Sequence, residues 1–257
     1  MMSGLGCTYA GSGGRPDKAE PLLASALKGL QVVLQDKHPG TLVTRQVLAI
    51  VLLRLNRLPE AEQEARQSYE DMQTVYGEMH PYTYTSQATL IQVYLAQGRR
   101  DGAAPLVRNL LANARRHREK MPVFALGGIG GVGHALLRER DFVEAESFLR
   151  VYLDLTAKQP FDDRFRFPAE SALGACLLGR KKYAEAEPFL LAAVEGMKAD
   201  QAKRPGEYKP GSFLQQRQTE ALGWLVEVYD ATGKPDKAAE WRKELEAVRR
   251  LAKGGKP

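Results

Sequence analysis

One phrase returns six times along this chain, and its spacing limits the folds the chain can adopt more than any other feature. It consists of a turn residue, an acidic residue, then Ala followed by Glu or Ala. The copies are GRPDKAE (14–20), RLPEAE (57–62), GRRDGAA (98–104), RDFVEAE (140–146), KKYAEAE (181–187) and GKPDKAAE (233–240). The phrase alanines are Ala19, Ala61, Ala103, Ala145, Ala186 and Ala238, so successive spacings are 42, 42, 42, 41 and 52. A second anchor lies nine residues upstream at Leu52, Tyr94, Leu136, Leu177 and Tyr229, and ten upstream at Tyr9. His38-Pro39 and His80-Pro81 add a third mark with the same period, continued by Met121-Pro122. Coincident periods over most of a chain indicate repeated supersecondary units that bury their apolar faces by stacking.

Each unit reads as two helices. Ala19, Leu22, Leu23, Ala26, Leu27, Leu30, Val33 and Leu34 follow one another at helical steps, and Leu48, Leu52 and Leu55 do the same before the second phrase. The connections Gly13-Gly14, Asn56-Arg57, Gly98-Arg99 and Gly233-Lys234 are turn-like. The prolines after His38 and His80 suit a first helical turn. Thr41 and Thr83 are placed to cap nearby, and the matched histidines argue for local capping as well. No segment alternates with period two. The expectation is an all-α, right-handed α-solenoid of six stacked helix-turn-helix repeats. It forms one domain over 1–253, with repeats at about 1–37, 38–79, 80–121, 122–163, 164–205 and 212–252 and a frayed tail at 254–257. The phrase alanines mark the closest approach of paired helices.

Composition narrows the class further. The chain has 257 residues, 44% hydrophobic and 26% charged, a globular balance with a net charge of +6. No run of 18 apolar residues exists to span a membrane. The first residues lack the basic and apolar regions of a secretory signal. Two cysteines, Cys7 and Cys176, cannot form a disulfide framework, so a cytoplasmic setting is expected. Helix A of the first unit is short and glycine-rich, as in a frayed end or in a fragment or short relative of a longer chain, whereas the last helix, 236–252, is charged like a terminal cap.

The pattern Leu90-Ile91, Tyr94, Gly98, Ala103, Val107, with Leu173-Gly174, Leu177, Ala186, Leu190 in the fifth unit, resembles the tetratricopeptide repeat. The 42-residue period, the His-Pro pair and the Glu-Ala-Glu phrase resemble the kinesin-light-chain variety. The closing repeats are similar to the tails of bacterial serine/threonine protein kinases. The resemblance implies a protein-interaction scaffold whose first helices line a concave groove that takes a peptide or helix. It places Gln46, Ile50, Ala88, Gln92, Gly130, His134, Ser171, Ala175, Gly223 and Glu227 toward that groove, with Trp224 either an anchor there or packed in the core against the last helix. Where that variety carries paired asparagines, this chain has Gln46-Val47, Ala88-Thr89, Gly130-Gly131, Ser171-Ala172 and Gly223-Trp224.

Competing chemistry is weaker. Gly128 to Gly133 matches GxGxxG, but no strand precedes it and it falls where the period places a first helix. No cofactor is expected. No metal-ligand spacing or nucleophile–base pair stands out, and kinase catalytic motifs are absent, so no enzyme is expected. The basic cluster Arg108, Arg115, Arg116, Arg118 and Lys120 is expected to face the acidic helix carrying Glu60, Glu62, Glu64, Glu70 and Asp71, so nucleic acid is not the expected partner. Two interruptions, 159–168 with Phe161, Phe165 and Phe167, and 199–212, are expected as surface loops. Gly127, Gly128, Gly130, Gly131 and Gly133 each cost a helix up to about 1 kcal/mol against Ala. That makes the fourth repeat's first helix the expected weak point and a hinge candidate.

Overall fold

The computed structural model describes residues 15–117, 123–157 and 163–252. The readings at Leu5-Gly6, Cys7, Tyr9, Gly13-Gly14, Arg118, Lys120, Met121-Pro122, Phe161 and the 254–257 tail lie outside the described residues. Among the described residues the regular elements are all helical. In order they are α1 (Pro16–Leu34), α2 (Pro39–Arg54), α3 (Leu58–Tyr76), α4 (Pro81–Ala96), α5 (Arg100–Arg116), α6 (Val123–Arg138), α7 (Phe142–Ala157), α8 (Asp163–Gly179), α9 (Tyr183–Lys203), α10 (Phe213–Ala231) and α11 (Pro235–Ala252). The fold is all-α, and the helix hairpins follow the period of the phrase.

The chain divides into two compact units, Met1–Ala135 and Leu136–Pro257. In the first, α1 packs on α2, α2 on α3, α3 on α4 and α4 on α5, and α2 also touches α4. In the second, α7 packs on α8, α8 on α9, α9 on α10 and α10 on α11, and α8 also touches α10. This is the order stacked hairpins require, because each second helix is held between its own partner and the first helix of the next repeat. All six phrase alanines are buried. The fifth repeat shows the reason: a Cβ built on Gly174 of α8 would lie 3.4 Å from the Ala186 carbonyl oxygen on α9. Backbones that close leave room only for small side chains.

The turns repeat as faithfully as the helices. Five residues before each described phrase alanine from Ala61 onward, the chain adopts positive φ: Asn56 at 58°, Gly98 at 71°, Arg140 at 61°, Lys181 at 61° and Gly233 at 67°. A left-handed residue reverses the chain in one step, and Gly or Asn does so with least steric cost. Arg140 and Lys181 hold the same conformation without that advantage. At the other ends, His38 and His80 cap α2 and α4: each Nδ1 accepts a backbone N–H, from Gly40 at 3.1 Å and from Tyr82 at 3.2 Å. The structure corrects the expectation for the threonines. Thr41 Oγ1 donates to the Gln35 carbonyl at 2.9 Å, and Thr83 Oγ1 donates to the Gly77 carbonyl at 2.8 Å. They tie the end of one repeat to the start of the next.

The glutamate of the phrase also has a place in the stack. Glu20 pairs with Arg57 at 3.2 Å, Glu62 with Arg99 at 2.7 Å and Glu187 with Lys234 at 2.9 Å, and Glu146 pairs with Arg180. Each acid follows a phrase alanine, and each base sits in or beside the turn that opens the next second helix. In the third repeat Ala104 stands at this position.

The described parts of both interruptions are largely helical rather than loops. Helix α8 already begins at Asp163, and Phe167 lies over Gly196 of α9, while Phe165 is 40% exposed. In 199–212, α9 runs on to Lys203 and a 3-10 turn, Pro205–Tyr208, folds back. The buried Tyr208 hydroxyl donates to Asp200 Oδ2 at 3.1 Å, and Arg204 pairs with the same carboxylate.

Candidate functional site

In the first unit, Gln46 is buried on α2 and Ile50 is half-buried. On α4, Gln92 is half-buried and its amide donates to the Ala88 carbonyl one turn earlier at 3.2 Å. The same amide lies beneath Gly131 of α6, where an added Cβ would come within 2.9 Å of it. Ala88 is buried, and a Cβ on Gly128 would come within 3.0 Å of its methyl group. So α4 and α6 approach closely along Ala88–Gly128 and Gln92–Gly131. His134 is half-buried further along α6. The glycine-rich segment is helical, which places the GxGxxG match inside an element with no phosphate-binding turn.

In the second unit, Ser171 is buried on α8 with its hydroxyl unpartnered, while Trp224 is half-buried and Glu227 exposed on α10. Steps of three and four put Arg217, Glu220, Trp224 and Glu227 on one face of α10. Sequence reasoning found the last two and missed the first two. Arg217 and Glu220 pair at 2.9 Å, with the arginine side chain only 18% exposed. Burial pushes the Glu220 carboxyl above its ordinary range, against the pull of Arg217 and then of Arg138 at the end of α6. Burial also depresses Arg217, with Glu220 opposing and Arg138 adding to the effect. Arg217 therefore pairs with a carboxylate that burial makes reluctant to ionise, Arg138 acts on both at longer range, and Arg217 Nε is buried without a hydrogen-bond partner. The signal was available: counting back from Ala238 by the same helical steps that reach Trp224 also reaches Glu220 and Arg217.

Among the described residues no three His, Cys, Asp or Glu side chains gather as metal ligands. Burial pushes the Cys176 thiol up to about 12, which keeps it protonated and unreactive at neutral pH. Among the described residues no helix is long and apolar enough to cross a membrane.

The helix hairpins, their 42-residue register and the buried alanines agree with comparison to known proteins. Tetratricopeptide-repeat models match residues 5–74 and 85–109. These two segments are tetratricopeptide repeats. Its fold is similar to the nearly identical TPR-like repeats of a kinesin light chain from Podosopora anserina. The identity there is 21%, the TM-score 0.61, and the match covers 83% of this chain and 97% of the other. It is also similar to BtubC (BKLC) from P. vanneervenii, at 16% identity and a TM-score of 0.69, over 94% of both chains. No curated protein sequence matches it. The kinesin-light-chain-like character of these repeats is thus a likeness of fold.

Proposed function

We propose that this tetratricopeptide-repeat chain is a non-catalytic protein-interaction scaffold that holds a peptide or helix against its first helices. Gln46, Ile50, Gln92 and His134 are the contact candidates in the first unit, and Ser171, Trp224 and Glu227 in the second. The observation that carries the reading is the face of α10. Around Glu220 the two arginines Arg138 and Arg217 leave an excess of positive charge, Trp224 stands one turn beyond, and Glu227 lies a further turn away. A ligand carboxylate would relieve the excess positive charge, and an adjacent apolar side chain would cover the tryptophan. Partly desolvated charge pairs and aromatic anchors are where peptide-binding energy concentrates.

The test is selection from a random peptide display library on the intact protein. The expected outcome is enrichment of peptides with Asp or Glu near a large apolar residue. That enrichment should drop at least tenfold on Trp224→Ala and on Arg217→Ala, with helical content unchanged by circular dichroism. Enrichment indifferent to both substitutions would remove this face from the reading.

A further inference from the structure

Among the described residues, the expectation that α5 and α3 neutralise each other does not hold. Three acids of α3 have other partners: Glu60 pairs with Arg57, Glu62 with Arg66 and Arg99, and Glu64 with Arg45. On α5, Arg108, Arg115 and Arg116 are exposed and make no ion pair with any described residue. Most other arginines described here are paired, among them Arg15, Arg45, Arg57, Arg66, Arg99, Arg150, Arg180 and Arg242.

The three lie on one side of α5. Seven and eight residues separate Arg108 from Arg115 and Arg116, two helical turns and about 10–12 Å along the axis. Exposed Ala112 lies between them, one turn from each. It leaves a low seat flanked by guanidinium groups. The opposite side of the helix is spent on the stack: Ala103, Val107, Leu110 and Ala114 are buried. Placing Arg115 and Arg116 near a helix C-terminus satisfies the dipole but does not account for Arg108, two turns earlier.

We infer that the exposed side of α5 is a second docking surface, separate from the α10 face, and that its occupant is an acidic helix of a partner protein. A helix with carboxylates seven or eight residues apart repeats the same axial distance, and the alanine seat lets it lie close. Two observations favour a protein helix over nucleic acid. The strip carries no aromatic side chain on which bases could stack. Helix α3, packed on the same α4, exposes Glu70, which repels a phosphate backbone extending beyond one helix width.

The probe is a labelled, alanine-rich 21-residue helical peptide with paired glutamates every seven residues, titrated against the intact chain by fluorescence anisotropy at low and physiological salt. An isomer of the same composition with glutamates dispersed around the helix is the comparison, and a single-stranded oligonucleotide of similar charge is the third ligand. The patterned peptide should bind most tightly. Arg108→Ala with Arg115→Ala and Arg116→Ala should weaken it about tenfold, in line with three exposed charge pairs. Removing Lys28, Lys37 and Lys203 instead should change it less than twofold. Equal affinity for the two peptides, equal loss in the two triple variants, or tighter oligonucleotide binding that the arginine variant abolishes would each overturn the proposal. Because Trp224 and Arg217 are untouched, failure here leaves the α10 reading standing, and failure there leaves this one.

Discussion

Helices α4 and α6 occupy equivalent places in successive repeats, yet they are built on opposite principles. The interior of α4 is polar as well as apolar. Thr83, Ser86, Gln87 and Thr89 are buried, their hydroxyls donate to backbone carbonyls, and the Gln87 amide reaches the Leu106 carbonyl and Asn109 on α5. It opens on the His80 cap and closes at Gly98 in the left-handed conformation. Helix α6 replaces that polar interior with glycine, Ile129 and Val132, and closes at Arg140 in the same left-handed conformation. One helix is specified by hydrogen bonds and the other by closeness. A glycine is costly to order in a helix, but a backbone drawn against Ala88 and Gln92 recovers dispersion contact. The glycines at 128 and 131 therefore act as packing elements, whereas Gly127 has nothing within 4 Å of an added Cβ.

The contrast can be broken most directly at Gly128. Gly128→Leu drives a side chain into Ala88 and should cost about 2–3 kcal/mol by overpacking. An unchanged midpoint in urea denaturation would mean that the two helices do not meet there.

The next effect belongs to the end of α4. Glu62 accepts from Gln97, Arg66 and Arg99, and these hold its carboxyl down to about 2, the Gln97 hydrogen bond contributing most. The folded value lies below the unfolded one, so the stabilisation is complete above pH about 4.5 and fades as pH falls toward 2. Glu62→Gln should cost about 1–2 kcal/mol at pH 7, allowing for solvent screening. The gap from the parent should narrow below pH 4.5 and close near pH 2. A pH-independent gap would assign the loss to packing alone.

Smaller gains are expected at α6. Arg140→Gly keeps the positive φ that Gly98 supplies after α4, and should stabilise by up to about 1 kcal/mol, less whatever its stacking on Phe142 contributes. Gly127→Ala enters open space in an exposed helical position and should raise stability by about 0.5–1 kcal/mol, measured as a higher melting temperature. A loss at Gly127 would show that this glycine also serves close packing.

The smallest difference is expected in amide hydrogen exchange. If closeness compensates for glycine, protection over 125–134 should match that over 86–96 within about tenfold. Protection a hundredfold lower over 125–134 would restore the hinge that glycine propensity alone suggests.

Much of the fold was legible because a period repeated six times overrides local ambiguity. The phrase alanines, the upstream anchors and the histidine caps each follow from a backbone approach or helix end that recurs identically. The site was legible only in part. Trp224 drew attention as a large residue in a groove position. Arg217 and Glu220 look like ordinary surface charges until burial and a second arginine show that they share a half-desolvated place. Arg108, Arg115 and Arg116 failed in the opposite sense, because residue types say which charges could pair and not which of them already have.

From sequence alone came the helix pairs, their register and the positions that must be small, since these depend on local periodicity and on steric limits that repeat. Only the tertiary structure decided that Thr41 and Thr83 bridge repeats rather than cap helices, and that Gly128 and Gly131 face Ala88 and Gln92. It likewise decided which carboxylate each arginine meets. Those outcomes depend on distances between segments far apart in the chain, where a shift of one or two ångströms separates a hydrogen bond or a close contact from none.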